Sequence, residues 1–133
     1  MYKLYTDAAA LYHQNKTAAG ILIIHNHKQL QIKKHLKSLD NHSAEFEACL
    51  DGFKILKHLV NRNHDYNSFI LYYTDSKIVY QSLLKQYAKH YQKFVDQILI
   101  QQNQFNDVFN NWIPDTKNEG AHQLAQQALH SFK

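Results

Sequence analysis

The sequence contains few of the residues that interrupt or cross-link a chain. Its 133 residues include three glycines, one proline and one cysteine, Cys49. So little glycine and proline argues against long flexible linkers or a second module, and a lone cysteine cannot form an internal disulfide. Apolar runs such as "AAGILII" are too short to cross a bilayer. No charged-then-apolar leader opens the chain, so we expect a cytoplasmic protein of one domain, residues 1–133.

Acidic residues are missing from two basic stretches. The chain has 15 Lys and Arg against 11 Asp and Glu, a formal charge of +4 with neutral histidines. The stretches "HNHKQLQIKKHLK" and "KQYAKHYQK" contain lysines and no acid. Such stretches suit a polyanion, through phosphate contacts and counterion release. They equally suit a solvated, lysine-rich surface, so charge alone leaves both interpretations open.

Strand and helix patterns follow one another in a definite order. Alternating or continuous apolar residues predict three strands with short links, over residues 1–12, 17–28 and 29–39. An antiparallel meander is the economical arrangement for them. Apolar residues at three- and four-residue spacing then predict a long amphipathic helix over 43–62. Further strands are predicted over 68–75 and 107–113, and helices over 76–84, 89–105 and 118–131. This order predicts a mixed α/β domain around one sheet.

Three carboxylates occupy positions that are unusual for acids. Asp7 falls inside the first strand, Glu45 in the first turn of the long helix, and Asp75 at the end of the apolar fourth strand. Taken singly, Glu45 and Asp75 suit compensation of a helix dipole or helix capping. Taken together, three carboxylates from separate elements would form an oxygen cage for Mg²⁺ or Mn²⁺. Two such ions roughly 3.5–4 Å apart can activate a water and stabilise the leaving oxygen in phosphodiester hydrolysis.

The motifs around these acids resemble type 1 ribonuclease H. They are "YTD" in the first strand, "N-x-x-A-E-F-x-A" opening the long helix, "TDS" after the fourth strand, and a closing "W-I … N-E-x-A-x-x-L-A-x-x-A-L". The resemblance spans nearly the whole chain and is greatest to compact bacterial members without the basic handle. It implies a ribonuclease H-like α/β fold: a five-stranded mixed sheet, the first three strands antiparallel, with helices on both faces.

The resemblance also implies an activity and a set of metal ligands. The activity is endonucleolytic hydrolysis of the RNA strand of an RNA–DNA hybrid with two Mg²⁺ or Mn²⁺ ions, leaving 3′-hydroxyl and 5′-phosphate ends. Asp7 would lie between the two ions, and Glu45 and Asp75 would complete their ligation. The family's fourth ligand is an Asp, and His122 stands at that position.

Nucleic-acid contacts can be carried over from the same motifs. Asn41 and His42 match a pair that reaches the minor groove, with His42 substituted. Ser76 and Lys77 follow the third acid, where the family places a polar residue that meets the nucleic acid. The residues expected to contact nucleic acid are Asn41, His42, Ser76, Lys77, Lys85 and Lys89. We expect a monomer with no obligate protein partner and no membrane association.

Three departures from the family pattern leave alternatives open. "AAALYHQNK" replaces the Gly-rich turn after the first acid, "PDTK" replaces a histidine-bearing loop, and His122 replaces the fourth carboxylate. His122 is either a surface histidine or a neutral ligand that favours Mn²⁺ over Mg²⁺, with activity falling below about pH 6.5. The alternative to an active enzyme is a module that binds hybrid or duplex RNA without cutting it. A related nuclease of the same fold with another substrate is the third interpretation.

Overall fold

A computed structural model describes residues 1–131, with the side chain of Tyr12 outside the description. The strands are β1 (Tyr2–Leu11), β2 (Lys16–His25), β3 (Lys28–His35), β4 (Phe69–Thr74) and β5 (Asp107–Trp112). The helices are α1 (Asn41–Asn63), α2 (Lys77–Lys85), α3 (Gln92–Gln102) and α4 (Glu119–Leu129). Short 3-10 turns cover Tyr12–Gln14 and Asp115–Lys117. None of the helices in this described part has both the length and the apolar character needed to cross a membrane.

The five strands form one mixed sheet in the order β3-β2-β1-β4-β5. Strands β1, β2 and β3 are antiparallel neighbours, whereas β4 runs parallel to β1 and to β5. A two-residue turn, Asn26-His27, joins β2 to β3, and both residues have positive φ, 50° and 65°. Left-handed residues at both positions match the twist of a tight hairpin. The predicted mixed sheet with an antiparallel first half is confirmed.

The main hydrophobic core lies between the sheet and α1. Alternation along the strands directs Leu4, Ile21 and Ile70 toward the helix, where they pack with Phe46 and Phe53 in one buried cluster. Burying side chains of this size contributes roughly 1.5–3 kcal/mol each. Helix α3 packs on the same helix, so this face of the sheet has two helical layers above it. The core thereby fixes α1, which carries Glu45, against the sheet.

Helix α4 covers the opposite face and lies directly on the backbone of β2. A Cβ built on Gly20 would lie 1.9 Å from the carbonyl oxygen of Ala121 and 2.5 Å from the backbone nitrogen of Ala125. Only glycine permits this approach, because no side chain fits between the strand and the helix. Gly20 is the strand partner of Asp7, so the same contact brings the first turn of α4 beside Asp7. The prediction of helices on both faces is confirmed.

The predicted bounds of α1 and α3 were wrong. Helix α1 begins at Asn41, capped by the Asp40 side chain, which accepts from the Ser43 N–H at 3.0 Å. Glu45 therefore lies in the second turn, and no acid stands in the first. Helix α3 covers 92–102 rather than 89–105, because α2 ends in a left-handed residue, Gln86, and an irregular segment intervenes.

We expect Gly20→Ala to lower the free energy of unfolding by on the order of 3 kcal/mol, because the new methyl group overlaps helix backbone that cannot rotate away. The measurement is urea denaturation followed by circular dichroism. Gly120→Ala is the matched control. Its Cβ would meet only the end of the Leu22 side chain, at 2.9 Å, and alanine is the better helix residue. Equal losses of unfolding free energy in the two variants would contradict the conclusion that α4 approaches the Gly20 backbone too closely for a side chain.

Candidate active site

The three predicted acids line one cleft. Strands β1 and β4 are parallel, with Thr6 aligned to Thr74, so Asp7 and Asp75 follow an aligned pair and project at the same end of the sheet. Glu45 reaches this end from α1. The cleft has a volume of about 400 Å³ and is lined by Asp7, Ala8, Asn41, Glu45, Asp75, Asp115, Thr116, Glu119 and His122. Residues distant in sequence are thus brought together by strand register and helix packing.

Asp7 is the most deeply buried acid of the cleft, with 8% of its surface exposed. Burial, and then the negative charge of Asp75, raise the pKa of Asp7 from 3.8 to about 7. Hydrogen bonds from His122 and from the Ala8 backbone oppose this rise. The two carboxylates therefore repel each other across a weakly solvated gap, which is the electrostatic condition that a bound cation relieves.

His122 lies beside Asp7. Its Nδ1 is 2.9 Å from Oδ2 of Asp7, and the two share a hydrogen bond. The His122 side chain is 53% exposed, against 7% for Asp7, so the rest of the imidazole faces the solvent-filled cleft. The structure thus brings His122 to the acids, as the sequence predicted, but through contact with Asp7 itself.

Glu45 is held by residues that were predicted to touch nucleic acid. The Ser76 hydroxyl donates to Oε2 of Glu45 at 2.6 Å, and Nδ2 of Asn41 donates to Oε1 at 3.3 Å. Nδ1 of His42 lies 3.6 Å from Oε2. The Ser76 oxygen also accepts from the Val79 N–H as the cap of α2. Three of the predicted nucleic-acid residues are therefore turned toward Glu45 in this structure.

The predicted lysines lie outside the lining of the cleft. The Lys77 ammonium sits 5.3 Å from the centre of the Trp112 ring, a cation–π contact. Lys85 is the last residue of α2, and Lys89 lies in the segment before α3. Both are exposed. Their contact with nucleic acid stays a prediction.

Asp75 is fixed from two sides. The indole N–H of Trp112 donates to its backbone carbonyl at 3.0 Å. Nδ2 of Asn118 donates to Oδ2 of its carboxylate at 3.3 Å. Asn118 was not predicted as a residue of the site, although it is the first residue of the closing "N-E-x-A" motif.

Further acids in the cleft were also missed. Asp115 lies in the 3-10 turn after β5, and Glu119 is the first residue of α4. Both are exposed and line the cleft together with Thr116. The available signal was the pair of acids that follows "WIP", where a strand end meets a helix start. Their neighbours in space, however, come from β1 and α1, and no local sequence pattern specifies that these elements lie close to them.

The donors of the cleft fit a hard divalent cation. Five carboxylates line it, and carboxylate oxygens are the ligands that Mg²⁺ and Mn²⁺ prefer. Burial, and then the charge of Asp75, raise the pKa of Asp7 in the same place. As the side chains stand, no three His, Cys, Asp or Glu groups among residues 1–131 converge closely enough to hold an ion. The set therefore suits a metal in its chemistry, and ligation requires the side chains to move together.

A larger depression elsewhere has different chemistry. It measures about 560 Å³ and lies between β3, α1 and α3. Its two acids already have partners: Glu47 accepts from the Ser38 backbone and hydroxyl, at 2.8 and 2.6 Å, and Asp51 pairs with Lys34 at 2.9 Å. Of these two depressions, only the smaller cleft at Asp7 brings together acids whose charges repel each other.

Comparisons with known proteins agree with this architecture. Ribonuclease H1 from Halobacterium salinarum NRC-1 superposes with a TM-score of 0.83 over 98% of both chains at 18% identity. LC11-RNase H1, solved in complex with RNA/DNA hybrid, gives a TM-score of 0.83 over 98% of this chain and 97% of its own, at 17% identity. These similarities show a ribonuclease H fold.

The family follows from sequence similarity. The family described as reverse transcriptase-like matches residues 5–128. The Enterococcus faecalis protein named "Putative hydrolase EbsB" is 31% identical over 134 residues, which cover 99% of this chain and 96% of that protein. The chain therefore belongs to the reverse transcriptase-like family, which is ribonuclease H-like in fold.

We expect Asp7→Asn to stabilise the metal-free protein at neutral and higher pH. The unfolded chain releases the Asp7 proton near pH 3.8, whereas the folded chain keeps it until about pH 7. The contribution of this group to the free energy of unfolding therefore falls as pH rises through that window. At about pH 8 the variant should exceed the wild type by a few kcal/mol, since one pKa unit corresponds to about 1.4 kcal/mol, and the difference should shrink toward about pH 4.

Urea denaturation in the presence of a chelator, repeated across this pH range, measures the difference. Asp115→Asn serves as the control, because Asp115 is exposed in the same cleft and should leave the pH dependence unchanged. If the stability of the wild type and of Asp7→Asn changed with pH in the same way, the raised pKa of Asp7 would be contradicted.

Proposed function

We propose that this protein is an endoribonuclease that hydrolyses the RNA strand of RNA–DNA hybrids. The observation that carries the proposal is that Asp7, Glu45 and Asp75, from β1, α1 and the end of β4, line one cleft of a ribonuclease H fold. The fold similarity to LC11-RNase H1, a structure that contains RNA/DNA hybrid, supports the substrate. Hybrid recognition would depend on groove shape and 2′-hydroxyls rather than on sequence.

Two divalent ions, Mg²⁺ or Mn²⁺, complete the proposal. Asp7, Glu45 and Asp75 would hold them, with His122 at the fourth position. When bound, such ions activate a water and stabilise the leaving oxygen of the phosphodiester. Negative charge on Asp7 is opposed by Asp75 in the metal-free protein, so ion binding would displace the Asp7 proton.

The remaining cleft residues would orient these acids and the substrate. Ser76 and Asn41 fix the two oxygens of Glu45 through hydrogen bonds, which supports a role in aligning that carboxylate. His42 and Lys77 are exposed and would meet the nucleic acid. Lys85 and Lys89 would add phosphate contacts, since exposed lysines act mainly as point charges toward phosphates.

A catalytically weakened or inactive module that binds hybrid or duplex RNA is the second candidate. Two points support it. The family resemblance aligns His122 with a carboxylate position, and no three His, Cys, Asp or Glu groups among residues 1–131 lie close enough to hold an ion as they stand. The burial of Asp7 and, after it, the charge of Asp75, which together raise the pKa of Asp7, oppose it, because a binding surface gains nothing from burying an acid beside a second acid.

The proposal extends to the whole chain. We propose that residues 1–133 act as one domain, in line with the family match over 5–128. A monomeric, cytoplasmic protein whose partner is the hybrid itself is part of the same proposal.

Cleavage of an end-labelled RNA–DNA hybrid, in Mg²⁺ and separately in Mn²⁺, distinguishes these functions. We expect internal cuts in the RNA strand and at least a 1,000-fold loss in Asp7→Asn, on the order of what losing a central ion site removes. Single-stranded RNA and duplex RNA of the same sequence are the substrate controls. Salt-sensitive binding without cutting in either metal would support the binding module, and equal cutting of single-stranded RNA would refute hybrid specificity.

We expect His122→Asp to raise Mg²⁺-supported cleavage more than Mn²⁺-supported cleavage, because a carboxylate adds a hard, charged ligand where imidazole favours Mn²⁺. The ratio of the two rates, compared between the variant and the wild type, tests this. No change in rate or metal preference would show that His122 is not at a ligand position.

A further inference from the structure

Asn118 joins three elements of the cleft from a fully buried position. It lies just before α4 and has 1% of its surface exposed. Its Nδ2 donates to the carbonyl of Thr6, in β1, at 3.0 Å and to Oδ2 of Asp75 at 3.3 Å. Its backbone carbonyl accepts from the N–H of His122 at 3.0 Å. Asn118 therefore contacts the β1 backbone immediately before Asp7, the Asp75 carboxylate and the backbone of His122.

Only the NH₂ group of the Asn118 side-chain amide has hydrogen-bond partners among the described residues. Among residues 1–131, Oδ1 of Asn118 is buried with no hydrogen-bond partner. A buried amide oxygen without a partner is unfavourable, so the choice of asparagine is not explained by its own burial. Nor does this side chain cap α4, since it makes no capping hydrogen bond to the helix. What remains is the NH₂ group, which supplies two hydrogens to two different acceptors.

We infer that Asn118 is a positioning residue that holds the Asp75 carboxylate at a fixed place relative to Asp7 and His122. The inference rests on the proposed metal-dependent function. Asp75 and Asp7 repel each other, and without a restraint the half-buried Asp75 side chain would turn toward solvent. Asn118 opposes that movement with a neutral donor, tied to β1 through the carbonyl of Thr6 immediately before Asp7.

Two substitutions separate positioning from stability. Asn118→Ala removes both donated hydrogen bonds. Asn118→Ser keeps a small polar residue whose single hydroxyl hydrogen can reach only one acceptor. Serine is a favoured residue at the start of a helix, so Asn118→Ser retains the beginning of α4 if the alanine variant folds poorly.

Asn111→Ala is the matched control. Asn111 also donates its side-chain amide to strand carbonyls, those of Tyr72 at 3.2 Å and Phe109 at 3.1 Å. It contacts no carboxylate among the described residues. Removing it should lower stability through the loss of similar hydrogen bonds while leaving the acids of the cleft undisturbed.

The experiment titrates each protein, free of nucleic acid, with Mn²⁺ and follows binding by electron paramagnetic resonance. We expect Asn118→Ala and Asn118→Ser to weaken Mn²⁺ binding by roughly 10–100-fold, as the loss of groups that orient metal ligands does. Asn111→Ala should stay within about twofold of the wild type. Thermal denaturation of the same samples reports stability separately.

Unchanged Mn²⁺ affinity in both Asn118 variants would overturn the inference, as would an equal loss in Asn111→Ala or the absence of Mn²⁺ binding by the wild type. Steady-state cleavage of the hybrid adds a second readout, in which kcat should fall while KM for the hybrid is preserved. If the wild type binds Mn²⁺ but does not cut hybrid, the proposed function fails. The inference about Asn118 is then decided by the Mn²⁺ titrations alone.

Discussion

Direct contact between Gly20 and the backbone of α4 is the constraint on which the arrangement of the cleft depends. Gly20 pairs with Asp7 across β1 and β2, and α4 approaches so closely that a single methyl group would collide with the Ala121 carbonyl. The first turn of α4 therefore reaches Asp7, which allows the hydrogen bond between Asp7 and His122. The same approach places Asn118, just before the helix, within reach of Asp75 and β1. Packing of one helix thus determines contacts at both central acids.

The cleft combines groups that oppose folding with groups that restrain them. Burial and the charge of Asp75 raise the pKa of Asp7, so a charged Asp7 works against the stability of the metal-free protein. His122, Asn118 and Ser76 each share a hydrogen bond with one of the three acids without adding negative charge. The fold tolerates this unfavourable burial of charge because the large core between the sheet and α1 stabilises the remainder of the chain. The cleft therefore concentrates negative charge, which lowers the stability of the metal-free protein and suits a divalent cation in its chemistry.

Local patterns predicted most of the fold but not the contacts within the site. Strand alternation and helical spacing located all five strands and four helices, because these periodicities follow from backbone geometry. The boundaries of α1 and α3 were wrong. Side-chain capping by Asp40 starts α1 earlier than predicted, and the left-handed Gln86 ends α2 ahead of an irregular segment before α3, neither of which periodicity reports. Asn41 and Ser76, which were predicted to contact nucleic acid, donate to Glu45 in this structure, and their contact with nucleic acid stays a prediction. That orientation depends on the rotamers of neighbours that the sequence does not place.

The order of the elements and the identity of the three acids and of His122 can be read from the chain, because motif order and residue type are properties of the sequence. What these groups touch follows from the tertiary structure alone. The parallel register of β1 and β4 sets Asp7 beside Asp75, and the bare backbone of Gly20 admits α4. Asn118 became visible as part of the site only when β1, Asp75 and α4 were brought together. Contacts between residues more than forty positions apart are fixed by packing and strand register, and no local pattern encodes either.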